Sequence, residues 1–310
     1  MRSVRPEINL RVTAQRRTHA VQCSREFGLI SSPIDRAQSC SPATSSPGNH
    51  RETLFSIRST DAAMKTQNYR QTLRSLQNWD QFLMKESGLP GPRANLELVQ
   101  AVADEGTLDL FQRYLTYTPD RASTNSPEVF LTVCGVVGLG RLLAEGDPDQ
   151  LAVMRGCAND PRWRVREAVA MGLQRWGDAD MPALLKAMSD WAKGTLLERR
   201  AAAAALCEPR LLTNPKHAKR VLKLLDTITT SIVREKDRKA DDFKTLRQAL
   251  GYCWSVAVVA SPIDGKPAME KWLVNSDPDV AWIMRENLKK NRLRRMDAKW
   301  VKEWSSAIVR

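Results

Sequence analysis

Asn159-Asp160-Pro161-Arg162-Trp163-Arg164-Val165-Arg166-Glu167-Ala168-Val169-Ala170-Met171-Gly172-Leu173 is the stretch on which the reading of the whole chain turns. Val165, Ala168, Val169, Gly172 and Leu173 stand at i, i+3, i+4, i+7 and i+8, the apolar stripe of one helix face. Thirty-four residues earlier the same slots hold Leu131, Cys134, Gly135, Gly138 and Leu139, and 33 residues later Glu198, Ala201, Ala202, Ala205 and Leu206. A further step of 48 gives Leu246, Ala249, Leu250, Cys253 and Trp254, and another of 34 gives Val280, Ile283, Met284, Asn287 and Leu288. Five units follow, each pairing this helix with a preceding one near 107–117, 149–158, 181–192, 216–235 and 267–275. Small residues in several slots let neighbouring helices approach closely, as stacked helical hairpins require.

The segment Asn159 to Ala168 resembles the start of the second helix of a HEAT repeat, a family in which an Asp opens the turn and a Val-Arg pair begins the inner helix. The resemblance covers about 107–291. Arg166 is matched by Arg199 and Arg247, whereas the terminal units carry Thr132 and Ala281, as capping repeats do. It implies an all-α fold: a right-handed α-solenoid of about five HEAT-like hairpins, with capping helices over 66–104 and a basic C-terminal cap over 292–310 that includes a helix near 297–308. Glu198 and Asn287 are polar residues in apolar slots. The flank supports a helical chain, because Tyr69, Leu73, Leu76 and Leu83 predict a helix over 66–86, stopped by Gly88 and Pro90.

Residues 1–63 differ in kind. They hold nine Arg, no Lys, ten Ser and none of the nine Trp, and no apolar period persists. Such a segment cannot bury enough surface to offset its ordering entropy, so it is expected to be disordered, with the folded domain spanning 64–310. Three readings fit it: translation starting at Met64, a flexible basic arm, or a targeting peptide.

Composition removes several function classes. With 48 Lys+Arg against 35 Asp+Glu, the 310-residue chain carries a formal +13. No apolar run approaches the roughly 18 residues that span a bilayer. Three His and six scattered Cys, none in a C-x-x-C pair, argue against metal sites and disulfides, and no cofactor is expected. Reduced thiols, a cytoplasmic setting and a monomer are the expectation. The Gly-rich nucleotide-binding fingerprints do not occur.

What remains is charge. Residues 284–310 hold nine Lys/Arg against three acids. Continuing the last inner helix at 100° per residue places Trp282, Arg285, Lys289 and Arg292 opposite its core stripe. An aromatic among cations suits a nucleic-acid backbone with a base to stack. Equally, cations near a helix C-terminus favour its dipole, and Trp300, Trp304 and Ile308 can fold a tail helix over Trp282. Lys216, Lys219, Arg220 and Lys223 form a second basic cluster, and Arg234, Lys236, Arg238 and Lys239 a third. Trp163, Glu167 and Arg200 fall on one inner surface, either as part of a site or as packing between repeats.

The alkylpurine DNA glycosylases of HEAT-like architecture resemble this chain in length, basicity and Trp content. Their tandem-Trp segment followed by an acid is not present; Trp176 with Asp180 has a comparable spacing, but Asp180 also suits the cap of the next helix after a terminus at Gly177-Asp178. The sequence therefore points first to a non-catalytic binding scaffold with a basic, nucleic-acid-binding surface. A DNA-base glycosylase is the enzymatic alternative, and an adaptor for acidic protein partners a third.

Overall fold

The stripe repeated at 131, 165, 198, 246 and 280 falls on five helices of the computed structural model, which describes residues 50–308, with side chains from Asp61 to Ala307. Among the described residues there are fifteen α-helices and no strand. In chain order they are α1 (His50–Ser75), α2 (Asp80–Glu86), α3 (Leu96–Glu105), α4 (Leu108–Leu115) and α5 (Val129–Ala144). Next come α6 (Gln150–Cys157), α7 (Trp163–Ala179), α8 (Met181–Trp191), α9 (Leu196–Leu206) and α10 (Pro215–Arg234). The last five are α11 (Asp241–Ala260), α12 (Pro262–Leu273), α13 (Pro278–Leu288), α14 (Asn291–Met296) and α15 (Ala298–Ile308).

Helices α3, α5, α7, α9, α11 and α13 pack one on the next, and α8, α10 and α12 form a second succession. Within each expected pair, α4 packs on α5, α6 on α7, α8 on α9, α10 on α11 and α12 on α13. The 48-residue step has a simple origin: α10 is 20 residues where α8 is 11, and residues 207–214 separate α9 from α10 where Asp180 alone separates α7 from α8. Two glycines, the slot residue Gly172 of α7 and Gly140 of α5, explain one close crossing, since a Cβ on Gly140 would collide with the backbone of Gly172. Only glycine permits that approach, which buries α5 from Val129 to Gly140.

The two polar slot residues are both fully used. Glu198 closes a capping box with Thr195 at the start of α9, and the same oxygen, Oε2, accepts from Arg155 Nη2 at 2.8 Å. Asn287 is wholly buried: its Nδ2 donates to the carbonyls of Leu250 and Ile283 at 2.8 Å, and its Oδ1 accepts from the Ser255 amide at 2.8 Å. It thereby stitches α13 to α11.

Four boundaries differ from the sequence reading. Residues 66–86 are not one helix: α1 ends at Ser75, where Trp79 Nε1 donates to the Leu73 carbonyl at 2.8 Å and Asn78 accepts the Asp80 amide at 2.9 Å, a turn that competes with helical continuation. α1 begins at His50, so a boundary at Met64 falls inside a helix; the disorder expected for 1–49 lies outside the described residues. α7 runs through Gly177-Asp178 to Ala179, and Gly177 serves instead as the place where Leu184 of α8 approaches. Finally, α12 starts at Pro262 rather than near Pro267; the carbonyl that Pro267 leaves without a helical donor belongs to Ile263, a residue 90% exposed.

Candidate functional site

The expected basic face is divided by a helix end. Asp277 caps α13 by accepting the Asp279 and Val280 amides, and its stripe of Val280, Ile283, Met284, Asn287 and Leu288 is buried. The helix stops at Leu288, so Arg292 belongs to α14 and does not continue the sector of Trp282, Arg285 and Lys289. Arg292 turns back onto α11, where its Nη2 donates to Tyr252 Oη at 2.6 Å and its guanidinium lies 4.7 Å from that ring's centroid. Lys289 pairs with Glu286 at 2.5 Å. Arg285 is exposed, as are Arg294 on α14 and Lys302 on α15.

Trp282 is half-buried, one ring edge set against Gly251 and one face covered by the Arg247 guanidinium at 4.0 Å. Arg247 is held there by Asp279 at 2.9 Å, and burial lowers its pKa. That face is therefore closed to a stacking base. The tail helix α15 packs on α13, and its Trp300 reaches α12 as well, where Nε1 donates to Glu270 at 2.6 Å and the ring lies beside Lys266.

The second cluster opens α10, with Pro215 at the first position and Asn214 accepting the Lys216 amide. Lys216, Lys219 and Arg220 are exposed, and Lys219 pairs with Asp264 of α12 at 2.8 Å. The hydrogen bond from Lys219 holds the Asp264 carboxyl below the usual carboxylate range. In the third cluster, Arg238 is taken up by Asp277 at 2.7 Å and Asp279 at 2.9 Å, tying the α10–α11 loop to α13.

The surface expected from Trp163 and Arg200 is packing between helices. Arg200, 3% exposed, pairs with Glu167 and donates to the Arg166 carbonyl at 3.1 Å. Burial pushes the Glu167 carboxyl upward against the pull of Arg200. Trp163 is half-buried under the Arg164 guanidinium at 4.3 Å. Arg164 in turn donates to Thr124 O, Asn125 Oδ1 and Gly91 O, and burial lowers its pKa to about 10. Asp180 accepts the Ala183 amide at 2.9 Å as the cap of α8, which is a structural task for the carboxylate paired in sequence with Trp176. The thiols are suppressed: burial raises Cys134 and Cys207 well above the free value and Cys157 to about 11.

One feature escaped the sequence reading. A cleft of about 620 Å³ is lined by Arg141, Arg175 and Arg210 together with Glu145, Asp178 and Gln100. Arg141 and Arg175 are 34 residues apart, the repeat step itself, so the register carried the signal. Each cation is already engaged: Arg141 with Glu145 at 2.6 Å, Arg175 with Asp104 at 2.5 Å, Arg210 with Asp178 at 3.0 Å.

Among the described residues, no group of three His, Cys, Asp or Glu is placed to hold a metal ion, and no helix is long and apolar enough to cross a membrane. Comparison of the chain with protein-family models, with curated proteins and with solved structures finds no match.

Proposed function

We propose that the chain is a non-catalytic scaffold, a right-handed α-solenoid of about five HEAT-like hairpins, whose C-terminal end binds a polyanion, in the first place nucleic acid. The stepwise packing of α3, α5, α7, α9, α11 and α13, with a second succession of α8, α10 and α12, supports the solenoid reading. The observation that carries the binding reading is the state of the cations. Nearly all arginines on the inner helices are bonded to the protein, whereas Arg285 and Arg294, in a segment with nine Lys/Arg and three acids, are exposed without an ion-pair partner among the described residues. Phosphates neutralised by such side chains release counterions, which gives binding a steep salt dependence.

The test is fluorescence anisotropy with duplex and single-stranded DNA across a salt series. Replacing Arg285 and Arg294 by Gln is expected to lower the slope of log affinity against log salt by about 0.9 per lost duplex contact, or about 0.7 on a single strand. An unchanged slope overturns the assignment of this end as the interface.

A further inference from the structure

Three arginines share one repeat slot, Arg166, Arg199 and Arg247, and only two are engaged. Arg166 donates to the carbonyls of Asp160 and Pro161 at 2.8 and 2.9 Å. Arg247 pairs with Asp279 and covers Trp282. Arg199, in the first turn of α9, makes no hydrogen bond or ion pair among the described residues, and its Nε is shut off from water with no acceptor opposite it. Six residues before the slot the other two units carry an acid, Asp160 and Asp241, whereas this unit carries a further cation, Lys193.

Arg199 and Lys193 form one wall of a cleft of about 520 Å³ whose other wall is the last turns of α10. There Asp226, Thr227, Thr230, Ser231 and Arg234 fall within one sector of the helix. The two carboxylates at the cleft are turned to other tasks. Asp226 accepts from Lys271 Nζ at 2.7 Å and Trp272 Nε1 at 2.9 Å on α12, and Glu235 accepts the amides of Lys236 and Asp237. Lys193, Arg199 and Arg234 are thus three cations around one cleft with no carboxylate paired to any of them among the described residues.

We infer that this cleft, between the α8–α9 loop and the last turns of α10, is a binding site for a phosphoryl group, its oxygens met by Lys193, Arg199 and Arg234. Planar guanidinium forks match a tetrahedral oxyanion, and a dianion suits three positive charges better than a monoanion does. The volume lies within the range of about 300–1,000 Å³ typical of small-molecule sites and exceeds what a lone phosphate fills, which favours an ester with a hydroxylated carrier. The hydroxyls of Thr227, Thr230 and Ser231 donate to the α10 carbonyls of Lys223, Asp226 and Ile228, so their lone pairs remain to accept from carrier hydroxyls. This site uses none of the residues assigned above to the C-terminal polyanion surface.

The experiment is isothermal titration calorimetry on the full chain at fixed ionic strength, with inorganic phosphate and with ribose 5-phosphate as probes. Saturable binding is expected, weakened about tenfold by each of Lys193→Gln and Arg234→Gln, both at exposed positions, and at least as much by Arg199→Gln. Tighter binding of ribose 5-phosphate assigns an esterified ligand, and equal binding a free phosphoryl anion. The proposal fails if neither probe saturates, or if the variant carrying both Lys193→Gln and Arg234→Gln binds as the parent chain does. Arg285→Gln with Arg294→Gln, which tests the nucleic-acid reading, is expected to leave this binding intact.

Discussion

The start of α7 and the C-terminal end from α13 onward are both rich in arginine, but the first buries all of its arginines whereas the second leaves Arg285 and Arg294 exposed and unpaired among the described residues. Arg162, Arg164 and Arg166 are 4, 3 and 9% exposed, and between them they bind Asp160, the 117–125 loop and Gly91. Arg285 and Arg294 face water. The difference teaches that charge in the sequence is not by itself a binding surface: at one end the guanidinium is a multi-donor strut for loop carbonyls, at the other Arg285 and Arg294 remain to meet a partner. What separates them is whether a loop with unsatisfied carbonyls lies over the helix start.

The sharpest break of this comparison lies beneath the struts. Val169, wholly buried where α7 meets its neighbours, is expected to lose about 4 kcal/mol or more as Val169→Asp, because an unpaired carboxylate enters a dry interface. Gln174→Asp, five residues on, is expected to cost about 1 kcal/mol, since the Gln174 amide bonds the Ala204 carbonyl at 3.1 Å. Urea titration of both variants checks the pair, and equal losses would contradict the assigned face. Next in size, Arg200→Met strands Glu167 inside the stack and is expected to cost about 3–5 kcal/mol; adding Glu167→Leu should recover much of it, because the penalty lies in the orphaned charge. Asn287→Ala, which frees one buried amide and two carbonyls of their side-chain partner, is expected to cost about 1–3 kcal/mol by the same measurement.

The helical class and the five helix pairs were legible because the stripe at 165–173 recurs with the same small and apolar residues, and burial acts on that stripe directly. The roles of single polar residues were not. Glu198 reads as a misfit until Thr195 and Arg155 are seen beside it, and Arg155 lies 43 residues away. Arg200 and Trp163 read as a surface because a helical wheel locates a face without saying what covers it; here the cover is Glu167 for one and Arg164 for the other. Arg292 was placed wrongly for a local reason, the stop of α13 at Leu288, which no Gly or Pro announces. Of the basic candidates, Arg285 alone on α13 stays exposed and unpaired among the described residues.

Acid sharpens the contrast at smaller scale. The hydrogen bond from Arg155 holds the Glu198 carboxyl below its ordinary value, so the stability it contributes is full above its unfolded pKa, about 4.3, and is lost as pH falls through the lower folded value. Glu198→Gln is expected to flatten that part of the acid limb in a series of thermal midpoints below about pH 4.3. At neutral pH it should cost about 1 kcal/mol or less, because the Arg155 side chain is 42% exposed and the pair is screened.

The smallest stability effect belongs to the residues carrying the functional reading, and its smallness is the point. Arg285 and Arg294 touch no carboxylate, close no loop and cover no ring among the described residues, so Arg285→Gln with Arg294→Gln is expected to move folding stability by no more than about 0.5 kcal/mol. Removing Arg285 also relieves repulsion: burial is the main cause of the lowered Arg247 pKa, and the nearby Arg285 charge adds to it, so loss of Arg285 should steady Arg247 over Trp282. Arg164→Gln, the same chemical change at the other end, removes the donors to Thr124, Asn125 and Gly91 and is expected to cost about 1–3 kcal/mol with no change in the salt slope of DNA binding. Denaturation and salt-series anisotropy on both sets of variants read the two quantities separately. A stability loss at Arg285 and Arg294 matching that at Arg164 would mean that the C-terminal arginines are struts as well, and the distinction on which the nucleic-acid reading rests would be gone.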